Sequence, residues 1–113
     1  MTGKDFDKIR DELLKHCIIL LSSKEKDYAT QDRLHNFKLS ATRQQTTPEL
    51  ALWYYRDKHE TAIQTAIHEL AKNGKKHPLK KWREWVGDSI NYLILLYALI
   101  AEREKANAKA SHK

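Results

Sequence analysis

Residues 80–104 read KKWREWVGDSINYLILLYALIAERE, and this stretch decides the fold. Trp82, Val86, Ile90, Leu93, Tyr97 and Ile100 recur at the three- and four-residue spacing of an α-helix, with Leu96 and Leu99 widening the stripe. The spacing predicts a core helix over Lys80–Glu104. On a neighbouring sector Glu84, Asp88 and Asn91 follow at i, i+4 and i+7, so their side chains stack along one line. Two carboxylates and an amide on one line suit a metal- or phosphate-handling edge; they equally suit a salt-bridged boundary between core and solvent. Gly87 inside the helix costs about 1 kcal/mol relative to alanine, which a close helix crossing or a ligand approach would offset.

The rest of the chain fits around such a helix. At 113 residues and 13.3 kDa it is read as one domain, small enough that a second copy would help to close a cleft. Hydrophobic residues at 41% and charged ones at 32% are the balance of a globular protein with a charged surface. Three glycines and two prolines are too few for the turns of an all-β protein and favour a few long helices. A net charge of +6 attracts anions without singling out nucleic acid. Cys17 is alone inside an apolar helical pattern, so it fills core space, and a cytoplasmic compartment is the natural fit. Asp5, Asp7, Asp11 and Glu12 argue against a secretion signal, and the apolar run Leu93–Ala101 is far short of the roughly 20 residues that span a bilayer.

Before the organising helix, Thr47 caps a helix with Pro48 at its first position and Glu49 in its first turn; the helix runs to about Lys72 and stops at Asn73–Gly74. Its expected buried stripe is Leu52, Tyr55, Ala62, Ile63, Ala66, Ile67 and Leu70, with His59 between the aromatic and aliphatic halves. Asp57 and Glu60 lie on it, adjoined by Arg56 and Lys58. Carboxylates on two antiparallel helices can hold Mg²⁺, which wants oxygen ligands, and adjacent cations would neutralise an oxyanion. Glu84 and Asp88 are the matching ligands; ordinary pairing of Arg56 with Glu60 is the plainer reading. Asp57 and Asp88 do not meet easily: with 1.5 Å of rise per residue, an ideal hairpin leaves them roughly 10 Å out of step.

At the amino terminus Thr2 and Asp5 form a capping arrangement. Phe6, Ile9, Leu13, Cys17 and Leu20 then share a face thickened by Leu14, Ile18 and Leu21. This predicts a first helix over residues 3–22, ended by Ser22 and Ser23 and broad enough for two neighbours. Residues 24–38, KEKDYATQDRLHNFK, gather Asp27, Asp32, Arg33, His35 and Asn36 around the anchors Tyr28, Leu34 and Phe37. A short helix over about Thr30–Ala41 would put Leu34, Phe37 and Ala41 on one side and Asp32, Asn36 and His35 on another, with a loop over Thr42–Thr47. Asp27 and Asp32 serve as well for helix capping. Lys75, Lys76, His77, Lys80, Lys81 and Arg83, beside Trp82 and Trp85, make a basic connection that phosphates could contact. Residues 105–113 are expected to fray as a basic tail after a single helical domain over 1–104.

The stretches KEKDYA and DRLHNF within 24–37, WYYRDKHE at 53–60 and WREWVGDSINYL at 82–93 together resemble the all-α nucleoside triphosphate pyrophosphohydrolase-like (MazG-like) superfamily, and especially small nucleotide-modification-associated phage relatives. The resemblance implies a compact all-α bundle of four or five helices, a homo-oligomer, Mg²⁺, a nucleotide and a host-cytoplasmic setting. It makes Asp57, Glu60, Glu84 and Asp88 metal ligands, with Asp57, Glu84 and Asp88 catalytic in hydrolysis between the α and β phosphates. Asp27, Asp32, Asn36 and Asn91 fall at the nucleotide; Arg33, Arg56 and Lys58 would neutralise phosphate, and Tyr28 or Phe37 would stack on the base. The chain departs from the family pattern at Trp85, where a second glutamate is expected, so binding with little hydrolysis is a variant of this reading. The alternative is a noncatalytic phage helical protein that binds nucleic acid or a host protein through Lys75, Lys76, Lys80, Lys81 and Arg83.

Overall fold

The computed structural model describes the backbone of residues 1–27 and 34–111 and the side chains of 1–22 and 34–110. The chain is an all-α bundle of four helices: α1 (Gly3–Asp27), α2 (His35–Gln44), α3 (Pro48–Asn73) and α4 (Leu79–Ser111). None of them is long and apolar enough to cross a membrane, among the described residues.

Local chemistry sets the helix ends. The Asp5 amide donates to Thr2 Oγ1 at 3.1 Å, and the Thr2 amide returns the bond to Asp5 Oδ2 at 3.4 Å, a reciprocal capping box. The Leu50 amide donates to Thr47 Oγ1 at 3.3 Å ahead of Pro48, as the sequence predicts. Gly74 closes α3 with φ 65°, a conformation that costs a glycine no steric clash. The expected loop over 42–47 is shorter. Thr42 Oγ1 bonds back to the Lys38 carbonyl at 3.0 Å, α2 continues to Gln44, and Gln45 ends it with φ 55°. Ser22 and Ser23 do not end α1, which continues to Asp27. Likewise α4 runs past Glu104 to Ser111, where alanine and lysine sustain a helix without an apolar face.

α3 and α4 form an antiparallel hairpin. Glu49 near the start of α3 receives two 2.8 Å bonds from Arg103, Glu60 meets Ser89, and His77 in the turn packs edge-on against Trp85 at 5.1 Å between centroids. α2 packs on α3, and the core lies where the two meet α4: Leu34, Leu52 and Leu99 are buried, with Phe37, Tyr92, Leu95 and Leu96 against them. Burial of each leucine contributes about 2 kcal/mol.

The stripe expected to be the core of α4 is only partly so: Leu96 and Leu99 reach the core and Trp82, Val86 and Ile90 are half-buried, but its carboxyl-terminal half faces outward. Leu93, Tyr97 and Ile100 are 45%, 77% and 42% exposed, because α4 turns Tyr92, Leu95, Leu96 and Leu99 towards α3. On α3, Leu52 and Ala66 are buried as expected, whereas Tyr55, Ile67 and Leu70 are exposed. Periodicity identifies an apolar face but not the neighbour that covers it.

Among the described residues α1 packs on α4 alone, whereas its breadth suggested two neighbours. Its anchor is Cys17, 1% exposed, beside Gly87: the thiol lies 3.8 Å from the Gly87 carbonyl, and Asn91 Nδ2 donates to the Cys17 carbonyl at 3.4 Å. A Cβ at position 87 would lie 3.1 Å from His16 Cδ2. The glycine therefore serves a close helix crossing, and its helix-propensity cost is recovered in packing. Phe6 and Ile9 continue the face that carries Leu13 and Cys17, yet they stay more than half exposed.

Candidate functional site

α1 and α3 both pack on α4 and, among the described residues, not on each other, so α4 is a floor flanked by the two helices. The line Glu84–Asp88–Asn91 lies along that floor. Asp88 sits between the two walls: its Oδ2 is 3.8 Å from His59 Nδ1 on α3, and its charge acts on Cys17 of α1. Burial first, and then Asp88, push the Cys17 thiol up, so it stays protonated and a poor nucleophile. Tyr92, one turn beyond Asp88, places its hydroxyl 3.3 Å from His59 Nε2, and burial followed by the Asp88 and Tyr55 contributions raises its phenol.

On the α3 wall Arg56 is the central cation. Its side chain is 16% exposed, its Nη2 lies 2.7 Å from Glu60 Oε1, and its guanidinium stands over the Trp53 ring at 4.6 Å. Ser89 donates to the same Glu60 oxygen at 2.8 Å and lies 3.5 Å from Arg56 Nη2. Glu60 and Asp88, from facing helices, thus reach adjoining places in one seam. Phe37 of α2 joins from above, edge-on to Tyr55 at 6.1 Å and to Tyr92 at 6.5 Å. Three buried polar atoms around the seam have no hydrogen-bond partner among the described residues: His16 Nε2, Arg56 Nε and Asn91 Oδ1. Unpaired buried groups of this kind favour a bound water or ligand, since each costs about 1–3 kcal/mol if left dry.

The expected site residues divide into three groups. Phe37, Arg56, Glu60, Asp88 and Asn91 come together in or beside the seam. Asp57 and Lys58 are exposed on α3, Asn36 and His35 are exposed on α2, and Glu84 is half-exposed at the mouth with Lys81 Nζ at 3.7 Å. Tyr28, Asp32 and Arg33 lie outside the described residues, as does the side chain of Asp27. The hairpin register matches His59 and Glu60, not Asp57, with Asp88 and Ser89, so the expected Asp57–Asp88 clamp is not assembled within one chain. Among the described residues no group of three or more His, Cys, Asp or Glu could hold a metal. Glu60 is paired with Arg56 and Ser89, and Asp88 stands beside His59.

The basic connection is a separate place. Lys75 is tied to Glu69 at 2.8 Å and Lys81 stands 5.5 Å over the Trp85 ring, while Lys76 and Lys80 are exposed without an ion pair among the described residues. Trp82 and Trp85 are edge-on at 5.3 Å. Their faces serve each other and His77 more than an incoming base.

Sequence reasoning missed His16, Ser89 and Tyr92 as parts of the seam. Tyr92 carried a legible signal, because it lies at i+4 from Asp88; His16 and Ser89 had only their places beside Cys17 and Asp88. Comparison of the chain with protein-family models, with curated proteins and with solved structures gave no match in any of the three.

Proposed function

We propose that the chain binds a nucleotide in the groove between α1 and α3, with Asp88, His59 and Glu60 at its phosphate end and the Phe37–Tyr55–Tyr92 aromatics at its base end. The observation that carries this reading is convergence: the three stretches that resemble nucleotide pyrophosphohydrolases are far apart in sequence, yet Phe37, Arg56–Glu60 and Asp88–Tyr92 meet in one seam. Asp88 and Glu60 repel a bare phosphate, so the favoured ligand is a triphosphate carrying Mg²⁺. One or two carboxylates are the usual protein share of such an ion, with phosphate oxygens and water supplying the rest. Binding, rather than hydrolysis, is the activity proposed, because a catalytic clamp needs more carboxylates than the seam gathers. Self-association and a cytoplasmic setting, that of the host if the gene is of phage origin, belong to the same proposal.

Thermal unfolding with a panel of nucleoside triphosphates and Mg²⁺ tests it. A ligand at 100 times its Kd adds about 2.7 kcal/mol of apparent stability. At least one nucleotide should therefore raise Tm by several degrees in the wild type and not in Asp88→Asn of equal helicity. No shift with any nucleotide, or equal shifts in both proteins, would overturn the reading.

A second reading rests on the basic connection: from Lys72 to Arg83 the chain carries six lysines and arginines and no acid. Such a corner could hold the backbone of a nucleic acid or an acidic host protein through charge alone. Replacement of Lys75, Lys76, Lys80 and Lys81 by glutamine should then abolish nucleic-acid retention and its salt dependence; unchanged retention would reject it.

A further inference from the structure

The twelve residues from Lys72 to Arg83 hold six of the chain's 21 lysines and arginines and none of its 15 acids. The remaining fifteen cations and fifteen acids cancel, so the whole formal charge of +6 belongs to the turn that joins α3 to α4 and its flanks. Charge gathered at one end of a helical hairpin sets up a local field that draws polyanions, which the same charge spread over a surface would not. Two of the six cations are engaged: Lys75 Nζ lies 2.8 Å from Glu69 Oε2, and Lys81 Nζ lies 3.7 Å from Glu84 Oε2 and over the Trp85 ring. Lys72, Lys76, Lys80 and Arg83 have no ion pair among the described residues, and the three lysines are exposed. Lys80 and Arg83, three residues apart in α4, project on one side of it.

We infer that these four cations hold double-stranded DNA by its phosphates, without reading its bases. The inference rests on the charge reading of the basic connection and goes beyond it by naming the form of the partner and the side chains that touch it. Single strands are held by rings on which successive bases stack. Here Trp82, Trp85 and His77 stand edge-on to one another at 5.1–6.4 Å between centroids, and Lys81 covers one face of Trp85, so the rings are occupied within the turn. A protein partner needs a desolvated anchor at the centre of its patch. Leu79, 75% exposed, is the exposed large apolar side chain of this turn, and one leucine falls far short of the roughly 800 Å² that each side of a protein interface buries. RNA helices are taken by shape and through 2′-hydroxyls across successive grooves, which a turn between two helices is too narrow to span. B-form DNA carries about one charge per 1.7 Å of its axis, so a compact group of cations meets phosphates in any rotational setting.

Fluorescence anisotropy tests this with a labelled DNA duplex of about 20 base pairs, its separate strands, an RNA duplex of the same sequence and polyglutamate, each from about 25 to 200 mM salt. The wild type should bind the DNA duplex with an affinity that changes less than about threefold with base sequence, and log K should fall against log salt with a slope of about −3 to −4, near 0.9 for each of four phosphates. The variant Lys72→Gln/Lys76→Gln/Lys80→Gln/Arg83→Gln should lose at least about tenfold in affinity and most of the slope, whereas Lys75→Gln/Lys81→Gln should stay within about threefold of the wild type. If the quadruple variant loses its helical spectrum, Lys76→Gln/Lys80→Gln takes its place, with a slope smaller by about two. Binding of none of the four polyanions by the wild type would overturn the inference together with the charge reading beneath it. Separate strands, RNA duplex or polyglutamate held more tightly than the DNA duplex, or a loss in Lys75→Gln/Lys81→Gln as large as in the quadruple variant, would overturn the inference alone and leave that reading standing.

Discussion

Gly87→Val probes the contact on which the attachment of α1 depends. A Cβ at position 87 lands 3.1 Å from His16 Cδ2 and 3.6 Å from Cys17 Sγ, so a single methyl is already tight. Alanine gains about 1 kcal/mol of helix propensity over glycine. The atom it meets first belongs to the His16 ring, whose side chain can rotate, so Gly87→Ala is expected to fall within about 0.5 kcal/mol of the wild type. Valine adds two γ-carbons, each about 1.5 Å beyond the Cβ, and one ring rotation cannot clear both. α1 must then shift bodily and strain the bond from Asn91 to the Cys17 carbonyl. Overpacking of this kind costs about 1–3 kcal/mol. With valine's smaller propensity gain set against it, the expected loss is about 1–2.5 kcal/mol, or roughly 4–10 °C in Tm for a domain of this size. Urea and thermal unfolding followed by circular dichroism would measure it. His16→Ala should restore part of the loss, since the two positions share one contact. A Gly87→Val protein as stable as the wild type would refute the close crossing.

Other expectations concern protonation. Two hydrogen bonds from Arg103 hold the Glu49 carboxyl below the usual carboxylate range, with burial acting in the opposite direction. A lowered folded pKa contributes stability above the unfolded value of about 4.3 and loses it as pH falls through the folded value. Arg103 is half exposed, so the contribution is discounted to about 1 kcal/mol at most. Wild type and Glu49→Gln should accordingly differ by a constant amount from pH 8 to about 5 and converge below about pH 4; a gap that persists at pH 3 would contradict this. Cys17, buried and with its thiol pushed up, should react with iodoacetamide far more slowly in the native protein at pH 8 than in urea. Equal rates would show that α1 does not stay on α4.

The parts of the fold that follow from neighbouring residues were legible in the sequence. Thr2–Asp5, Thr47–Pro48 and Gly74 act over three or four residues, and each does what its chemistry dictates. Gly87 was legible as a place of close approach, by a helix or a ligand, because an interior helical glycine needs a compensating contact, and the structure puts α1 there. Ser22 and Ser23 misled because serine interrupts an apolar pattern without preventing a helix. The outward stripe of α4 misled for a different reason: α4 has apolar residues on more than one face, and only the placement of α3 decides which one becomes core. At the site, the line Glu84–Asp88–Asn91 was readable from helical periodicity, whereas helix rise overstated the misfit of Asp57 with Asp88: His59 and Glu60, two and three residues further on, meet Asp88 and Ser89, an offset of about 3–5 Å rather than about 10 Å. Tyr92 lay one turn from Asp88 on the same helix and was within reach of that periodicity; the roles of His59 and Ser89 were not, because they depend on the register of the α3–α4 hairpin to within one turn.

The most direct test of the nucleotide reading is calorimetric titration of the chain with a Mg²⁺–nucleoside triphosphate, run on the wild type, on Asp88→Asn and on the quadruple glutamine variant at Lys75, Lys76, Lys80 and Lys81. The groove predicts saturable binding by the wild type, a loss of at least about tenfold in affinity in Asp88→Asn, as for removal of a charged contact, and near-wild-type binding in the quadruple variant. No binding by the wild type, or binding that survives Asp88→Asn and disappears with the four lysines, would contradict it.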